Sequence, residues 1–314
     1  MHMLLPLMFA VLTLPATAAG EAPSWMPESS DILFASGRDG NSEIYLLRAG
    51  QKEWRNLTNH ESGDNWPVWS PDGGRVVFQS KRQGNLDIWA MKADGSEQTP
   101  LTSDPEPDYL ASWSPDGKLI VFTSWRKEPG EGKRAPHIYV MNADGSGQRR
   151  LVAESLETSA GATWSPDGKR IVYSRGTGDK GADIFVADAT GGNEVRLTSD
   201  KDVYNGSPVF SPDGGMLAFY SDDGTGSDLV VMKSDGSRRR TVLAEGKNWY
   251  PRWSPDGDWL IFTATVSGGE EGNIDIFMVP IAGHGNPIPL VGGPRREQEG
   301  RWRPNMLTAP AAKP

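Results

Sequence analysis

The sequence predicts an all-β protein, a six-bladed β-propeller of four-stranded antiparallel blades. Two observations carry this: one turn phrase repeats at even spacing, and the same short apolar runs surround every copy. The phrase is an aromatic followed by Ser-Pro-Asp-Gly, at Trp69 to Gly73, Trp113 to Gly117, Trp164 to Gly168, Phe210 to Gly214 and Trp253 to Gly257. Degenerate copies start at Trp25 and Trp302, so the leading aromatics are 44, 44, 51, 46, 43 and 49 residues apart. A period in the forties with several short strands per unit is what a propeller blade needs, whereas helical repeats of that length carry a 3.6-residue apolar period.

Residues 64 to 102 show how one repeat builds a blade. Asp64 to Trp69 alternates its side chains and forms strand A. Ser70-Pro71-Asp72-Gly73 then reverses the chain: Pro sets φ, Asp bonds forward to the backbone, and Gly takes φ > 0. Arg75 to Ser80 is β-branched and aromatic, the 81–85 segment is a hairpin tip, and Asp87 to Met91 follows, giving strands B and C. Ala93-Asp94-Gly95-Ser96 turns again, and Glu97 to Thr102 supplies strand D, ending in Leu101-Thr102. The strand C signature recurs at Glu43-Ile44-Tyr45, His137-Ile138-Tyr139, Asp183-Ile184-Phe185, Asp228-Leu229-Val230 and Asp275-Ile276-Phe277, and the closing pair at Leu57-Thr58 and Leu197-Thr198. Seven candidate A strands serve six sets of strands B to D, so one terminal copy closes the ring. Trp302 is the favoured donor of that closing strand over Trp25.

Bulk composition narrows the class. One repeat array fills nearly all of the 314 residues, which gives a signal peptide over 1–19, a propeller over 20–308 and a tail over 309–314. The leader is read from an apolar run, Leu4 to Leu12, followed by Ala16-Thr17-Ala18; it is too short to span a membrane. The chain has no cysteine, hence no lipid anchor, disulfide, thiol nucleophile or thiolate metal site. A soluble periplasmic or secreted monomer is expected. With a net charge of −9 and no block of Lys and Arg, the chain lacks the footprint of phosphate neutralisation, so nucleic acid and anionic membrane are not expected partners.

The repeat, from Trp69-Ser70-Pro71-Asp72-Gly73 through Asp87-Ile88-Trp89 to Leu101-Thr102, resembles that of the TolB-like propeller family over roughly residues 25 to 305. The resemblance implies a propeller with a role in binding a protein or peptide; as a departure from the family's pattern, a propeller alone is expected here, without the α/β domain that precedes it in TolB, because only the leader stands before Trp25. The same repeat occurs in propellers fused to serine peptidases, but no Gly-x-Ser-x-Gly elbow occurs here.

Strand order puts the Ser-Pro-Asp-Gly and Asp-Gly turns on one face, and the B to C tips and D to A crossovers on the other. The second face carries the variation, with long loops over 125–136 and 266–273, and binding residues concentrate on variable loops held by a rigid scaffold. Five residues before each aromatic stand Asp64, Asp108, Ser159, Asn205, Asn248 and Glu297. Three carboxylates and three neutral oxygen ligands around one axis could hold a hard cation such as calcium or meet a basic partner group; equally, Asp, Asn and Ser finish crossover turns. No other cofactor is expected. Asn65, Trp66, Tyr109, Leu110, Trp249 and Tyr250 follow at the same mouth, where the aromatics suit a protein hot spot, sugar stacking or plain packing between blades. Arg38, Arg82 and Arg126 precede Glu43, Asp87 and His137, as in a structural pair across each hairpin. His60 and His137 fall on the variable face and His284 on the other, so three histidines do not converge on a metal.

The expected function is a non-catalytic periplasmic or secreted scaffold that presents its variable loop face to a partner, with an interface of about 800 Å² per side. The alternative is a carbohydrate-active or glycan-binding propeller using carboxylates such as Asp64 and Asp108 as acid and base. That chemistry needs a carboxyl separation of about 5 to 9.5 Å.

Overall fold

In the computed structural model, the described residues are 31–48, 54–127, 135–152, 159–176, 181–244, 246–266, 273–282, 286–292 and 296–304. The leader at 1–19, Trp25, His284 and the tail at 309–314 lie outside them, as do the centres of the long loops. Every regular element described is a β-strand, and the 24 strands fall into six four-stranded antiparallel blades. No helix among the described residues is long and apolar enough to cross a membrane.

Blade 1 joins the two ends of the chain. Its innermost strand is Glu297–Trp302, paired antiparallel with Ile32–Ser36, which continues to Glu43–Leu47 and Arg55–Asn56. Trp302 therefore does supply the closing strand. Leu33 opposes Arg301 and Ser36 opposes Glu297, and Arg303 N–H donates to Asp31 C=O at 2.8 Å. Blades 2 to 6 begin at Asp64–Trp69, Asp108–Trp113, Ser159–Trp164, Tyr204–Phe210 and Asn248–Trp253. Blades 4 and 5 are further joined by a parallel pairing of Ala182 with Tyr204.

The Ser-Pro-Asp-Gly phrase forms one self-contained knot. In blade 4, Ser165 Oγ donates to Asp167 Oδ1 at 2.6 Å and accepts from Arg170 N–H at 2.9 Å, while Gly168, at φ +69°, returns its N–H to Ser165 C=O at 2.9 Å. The same hydroxyl bridge recurs at Ser70, Ser114, Ser211 and Ser254. These hydroxyl bonds hold Asp72, Asp116, Asp167 and Asp213 below the usual carboxylate range. The strand C acid and the closing Thr also form one unit. Thr102 Oγ1 donates to Asp87 Oδ1 at 3.0 Å and accepts from Ile88 N–H at 2.9 Å, and Thr198 repeats this with Asp183 and Ile184. Strand D is shorter than the sequence suggests, Thr99–Pro100 rather than 97–102. Glu97 takes φ +56° and Pro100 has no N–H to give, so the outer edge pairs only briefly.

Packing between blades closes the ring. Six apolar clusters correspond to six blade interfaces, each filled by strands B and C of one blade and the inner face of the next. Trp69, for example, packs among Leu33, Ile44, Leu57 and Val76 between blades 1 and 2. The C to D turn adds a close backbone contact: a Cβ on Gly145, at φ +88°, would lie 2.7 Å from Leu101 C=O of the preceding blade. At Gly117, φ +69°, the nearest atom to such a Cβ is Pro71 Cδ at 3.8 Å. We expect Gly117→Ala to cost about 1 kcal/mol from backbone strain alone and Gly145→Ala about 2–3 kcal/mol from strain plus collision, read from urea midpoints. Equal losses would show that the turn does not bear on the neighbouring blade.

Candidate functional site

The six inner strands share a feature that side-chain alternation hides. The third residue of each is Trp66, Leu110, Gly161, Ser207, Tyr250 or Glu299, counting from Asn205 in blade 5, and all have φ between +52° and +70°. Each pairing with strand B shifts register around that residue, which is a β-bulge. Five of the six are not glycine, so this strain is held in place by the surrounding blades.

The first residues of these strands do not form an open ring of ligands. Asp64, Asp108, Ser159, Asn205, Asn248 and Glu297 are all buried. Arg82 Nη2 meets Asp64 Oδ2 at 2.5 Å, Arg126 Nη2 meets Asp108 Oδ2 at 2.5 Å, and Arg38 Nη2 meets Glu297 Oε1 at 3.0 Å. These arginines thus bind strand A acids rather than the strand C partners expected. The register explains it: Ser36, Ser80 and Ser124 oppose Glu297, Asp64 and Asp108, and each arginine follows two residues later, while the strand C acids Glu43 and Asp87 already accept a Thr hydroxyl. Each guanidinium also lies over its own blade's aromatics, Arg38 at 3.6 Å from Trp54 and Arg82 at 5.1 Å from Trp89. Arg175 Nε donates to Ser159 Oγ at 3.4 Å, Asn205 Nδ2 donates to Asp200 Oδ2 at 3.0 Å, and Asn248 Nδ2 donates to Ser227 C=O at 2.9 Å. Stranding a charge of such a pair costs about 3–5 kcal/mol, so these residues hold the blades. Among the described residues no group of three His, Asp or Glu could hold a metal, and the His137 ring sits 2.9 Å from Arg150 Nη2. Each of the three carboxylates expected at a calcium site is thus engaged by an arginine through one oxygen, while Asp64 Oδ1, Asp108 Oδ1 and Glu297 Oε2 are buried without a hydrogen-bond partner.

The aromatics of the same mouth do converge. Trp66 of blade 2 meets Tyr250 of blade 6 edge-on at 4.7 Å, across the blade 1 strand between them. Tyr250 meets Tyr220 at 6.0 Å, and Tyr220 stacks on Tyr204 at 5.9 Å. Tyr109 accepts a hydrogen bond from Trp125 Nε1 at 3.1 Å, and Trp249 is half-buried beside Tyr250. Tyr204 is 42% exposed, a rare position for a ring of that size. Burial raises the phenol pKa values of Tyr109 and Tyr250.

Inside this rim runs an axial channel. A cavity of about 220 Å³ is bounded by Trp66, Leu110, Gly161 and Ser207 at one end. It shares Val68, Trp113, Arg252 and Arg301 with a larger cavity of about 870 Å³ that opens among the Ser-Pro-Asp-Gly turns. Glu299, almost wholly buried, accepts the Trp66 N–H at 2.5 Å. Burial raises its pKa to about 7, against the opposing pull of Arg301, Arg252 and Arg296.

Six antiparallel blades around a charged channel, with clustered aromatics at one mouth, define a closed β-propeller whose inner strands line the channel. The chain belongs to the TolB beta propeller domain family (PD40), whose profile matches residues 16–132 and 130–285. Among solved structures it is similar to TolB from Acinetobacter baumannii, at 18% identity and a TM-score of 0.75, over 88% of this chain and 67% of that one. A putative TolB from Agrobacterium tumefaciens aligns at 22% identity and 0.65, over 88% and 99%. An oligogalacturonate lyase in complex with manganese aligns at 13% identity and 0.61, over 84% and 74%. No curated protein matches in sequence.

Sequence reasoning found Trp66, Tyr109 and Tyr250 but passed over Tyr204, Tyr220, Glu299, Arg252 and Arg301. A usable sign was present: the residue before each aromatic reads Val68, Ser112, Thr163, Val209, Arg252, Arg301, a small or apolar column with two arginines. The raised pKa of Glu299 fixes the sign of a pH effect. Between about pH 4.5 and 7 the folded protein keeps a proton that the unfolded chain has released, so this group's contribution to stability falls as pH rises. Glu297, also raised to about 7 by burial, acts in the same direction, whereas the turn aspartates, held low, act only in more acidic solution. We expect Glu299→Gln to gain stability relative to wild type as pH rises from 5 to 7, measured by urea denaturation at both. A constant difference between the two proteins would refute this.

Proposed function

We propose that this protein is a non-catalytic binding scaffold, exported to the periplasm or beyond, which captures a protein or peptide partner on its variable loop face. The observation that supports this best is the aromatic series Trp66, Tyr250, Tyr220 and Tyr204, in ring-to-ring contact and ending in an exposed tyrosine. Tyr and Trp present large rigid surfaces with a polar handle and few rotamers to freeze, the chemistry of interface hot spots. The ring beneath them is fixed by buried ion pairs and by bulges at fixed positions, so the surface needs little rearrangement on binding.

Membership of the TolB propeller family supports the same reading, since TolB relatives are periplasmic and propellers of this kind mediate protein contacts. The apolar leader over 1–19 supports export. The carbohydrate-active alternative draws less support. Its carboxylates Asp64 and Asp108 are buried against Arg82 and Arg126, which leaves them poorly placed to exchange protons with a substrate.

The test is crosslinking from native periplasm with Trp66→Ala/Tyr250→Ala. The double variant, confirmed to be folded by its thermal midpoint, loses at least 90% of a discrete crosslinked partner that wild type retains. Undiminished capture by the folded variant would count against this mouth as the site.

A further inference from the structure

We propose that the axial channel is a binding site for a small organic anion, a carboxylate head with an apolar body, held by the paired guanidinium groups of Arg252 and Arg301. The two arginines stand at equivalent positions on the inner strands of adjacent blades, and both border the inner and the outer cavity. Arg301 is only 7% exposed, and its Nη1 is buried with no acceptor. The arginines of the blade hairpins are different: Arg82 and Arg126 each meet a carboxylate.

The local charge balance calls for an anion. One carboxylate, Glu299, faces two guanidinium groups, and its Oε2 is already engaged by the Trp66 N–H. Arg252 Nη1 donates to Pro251 C=O at 2.7 Å, which does not neutralise its charge. The guanidinium pKa values agree: burial first and then the charge of Arg301 depress that of Arg252, and burial lowers that of Arg301 to about 10. Further out, Asp72 and Asp116 are tied to Ser hydroxyls, and Arg303 is paired with Asp31 at 3.0 Å. The excess positive charge thus lies inside, in a protein whose net charge is −9.

Hydrogen-bonding capacity leans the same way. Trp69, Trp113, Trp164 and Trp302 border the two cavities, and each has a buried indole N–H with no acceptor. A carboxylate is acceptor-only and matches the fork of a guanidinium in two parallel bonds. The apolar body follows from the walls: Val68, Leu110, Val209 and Trp113 flank the arginines. A bare inorganic ion would leave that surface uncovered.

The test titrates benzoate and inorganic phosphate separately into the purified full chain at fixed ionic strength near 0.15 M, read by tryptophan fluorescence. Benzoate saturates at one equivalent in wild type, and Arg252→Gln and Arg301→Gln each weaken it at least tenfold. Should either variant fail to fold, Val68→Phe fills the channel from the neighbouring blade without replacing an arginine, and benzoate binding is lost. Absence of saturable benzoate binding, or binding unchanged in the folded variants, would overturn the proposal. Phosphate binding as tight as benzoate would overturn the assignment to an organic anion.

Discussion

The antiparallel pairing of Glu297–Trp302 with Ile32–Ser36 is the constraint on which the rest of this structure depends. A blade has two apolar faces, and each is buried only when a neighbour stands on either side. Six blades in a row would leave the outer faces of the first and last in water. Pairing the end of the chain with its beginning converts that row into a ring, and the cluster of Ile32, Phe34 and Tyr45 with Ile261, Ile276 and Met278 is the interface thereby created. Burying apolar surface at about 25 cal/mol per Å² makes this last interface a large share of a stability that is only about 5–15 kcal/mol in most domains.

What could be read from the sequence was chemistry that stays local. The Ser-Pro-Asp-Gly knot needs only residues within five positions of one another, so its copies announced turn, spacing and blade count together. The acid of strand C and the Thr of strand D were visible as separate recurrences, and their hydrogen bond joins residues 15 apart within one blade. Arg38 shows where legibility ends. Its partner, Glu297, is 259 residues away, and only ring closure and register bring them together. The bulges were equally hidden, because residues as different as Leu110, Ser207 and Glu299 occupy the same positive-φ position. A strand read as simple alternation cannot show which side chains a bulge turns towards the axis.

The acidic residues of the inner strands are all buried, and their partners divide them into two kinds. At the strand starts, Asp64 and Asp108 give their charge to an arginine of the same blade, and the pair is part of the scaffold. Two residues into the bulged closing strand, Glu299 faces several arginines at once and holds a pKa near neutrality. A buried carboxylate thus serves rigidity in one position and a tunable channel charge in another; at Glu299 burial lifts the pKa, and the neighbouring arginines only oppose that rise.

The closing strand also carries Glu299 and Arg301, the residues that give the channel its charge. A chain halted before residue 296 would keep Arg252 but lack Arg301, its partner in the channel, together with the inner strand of blade 1. Affinity for a channel ligand would therefore report that synthesis and closure are both complete, so that a ligand present during maturation would favour whole rings over truncated ones by mass action.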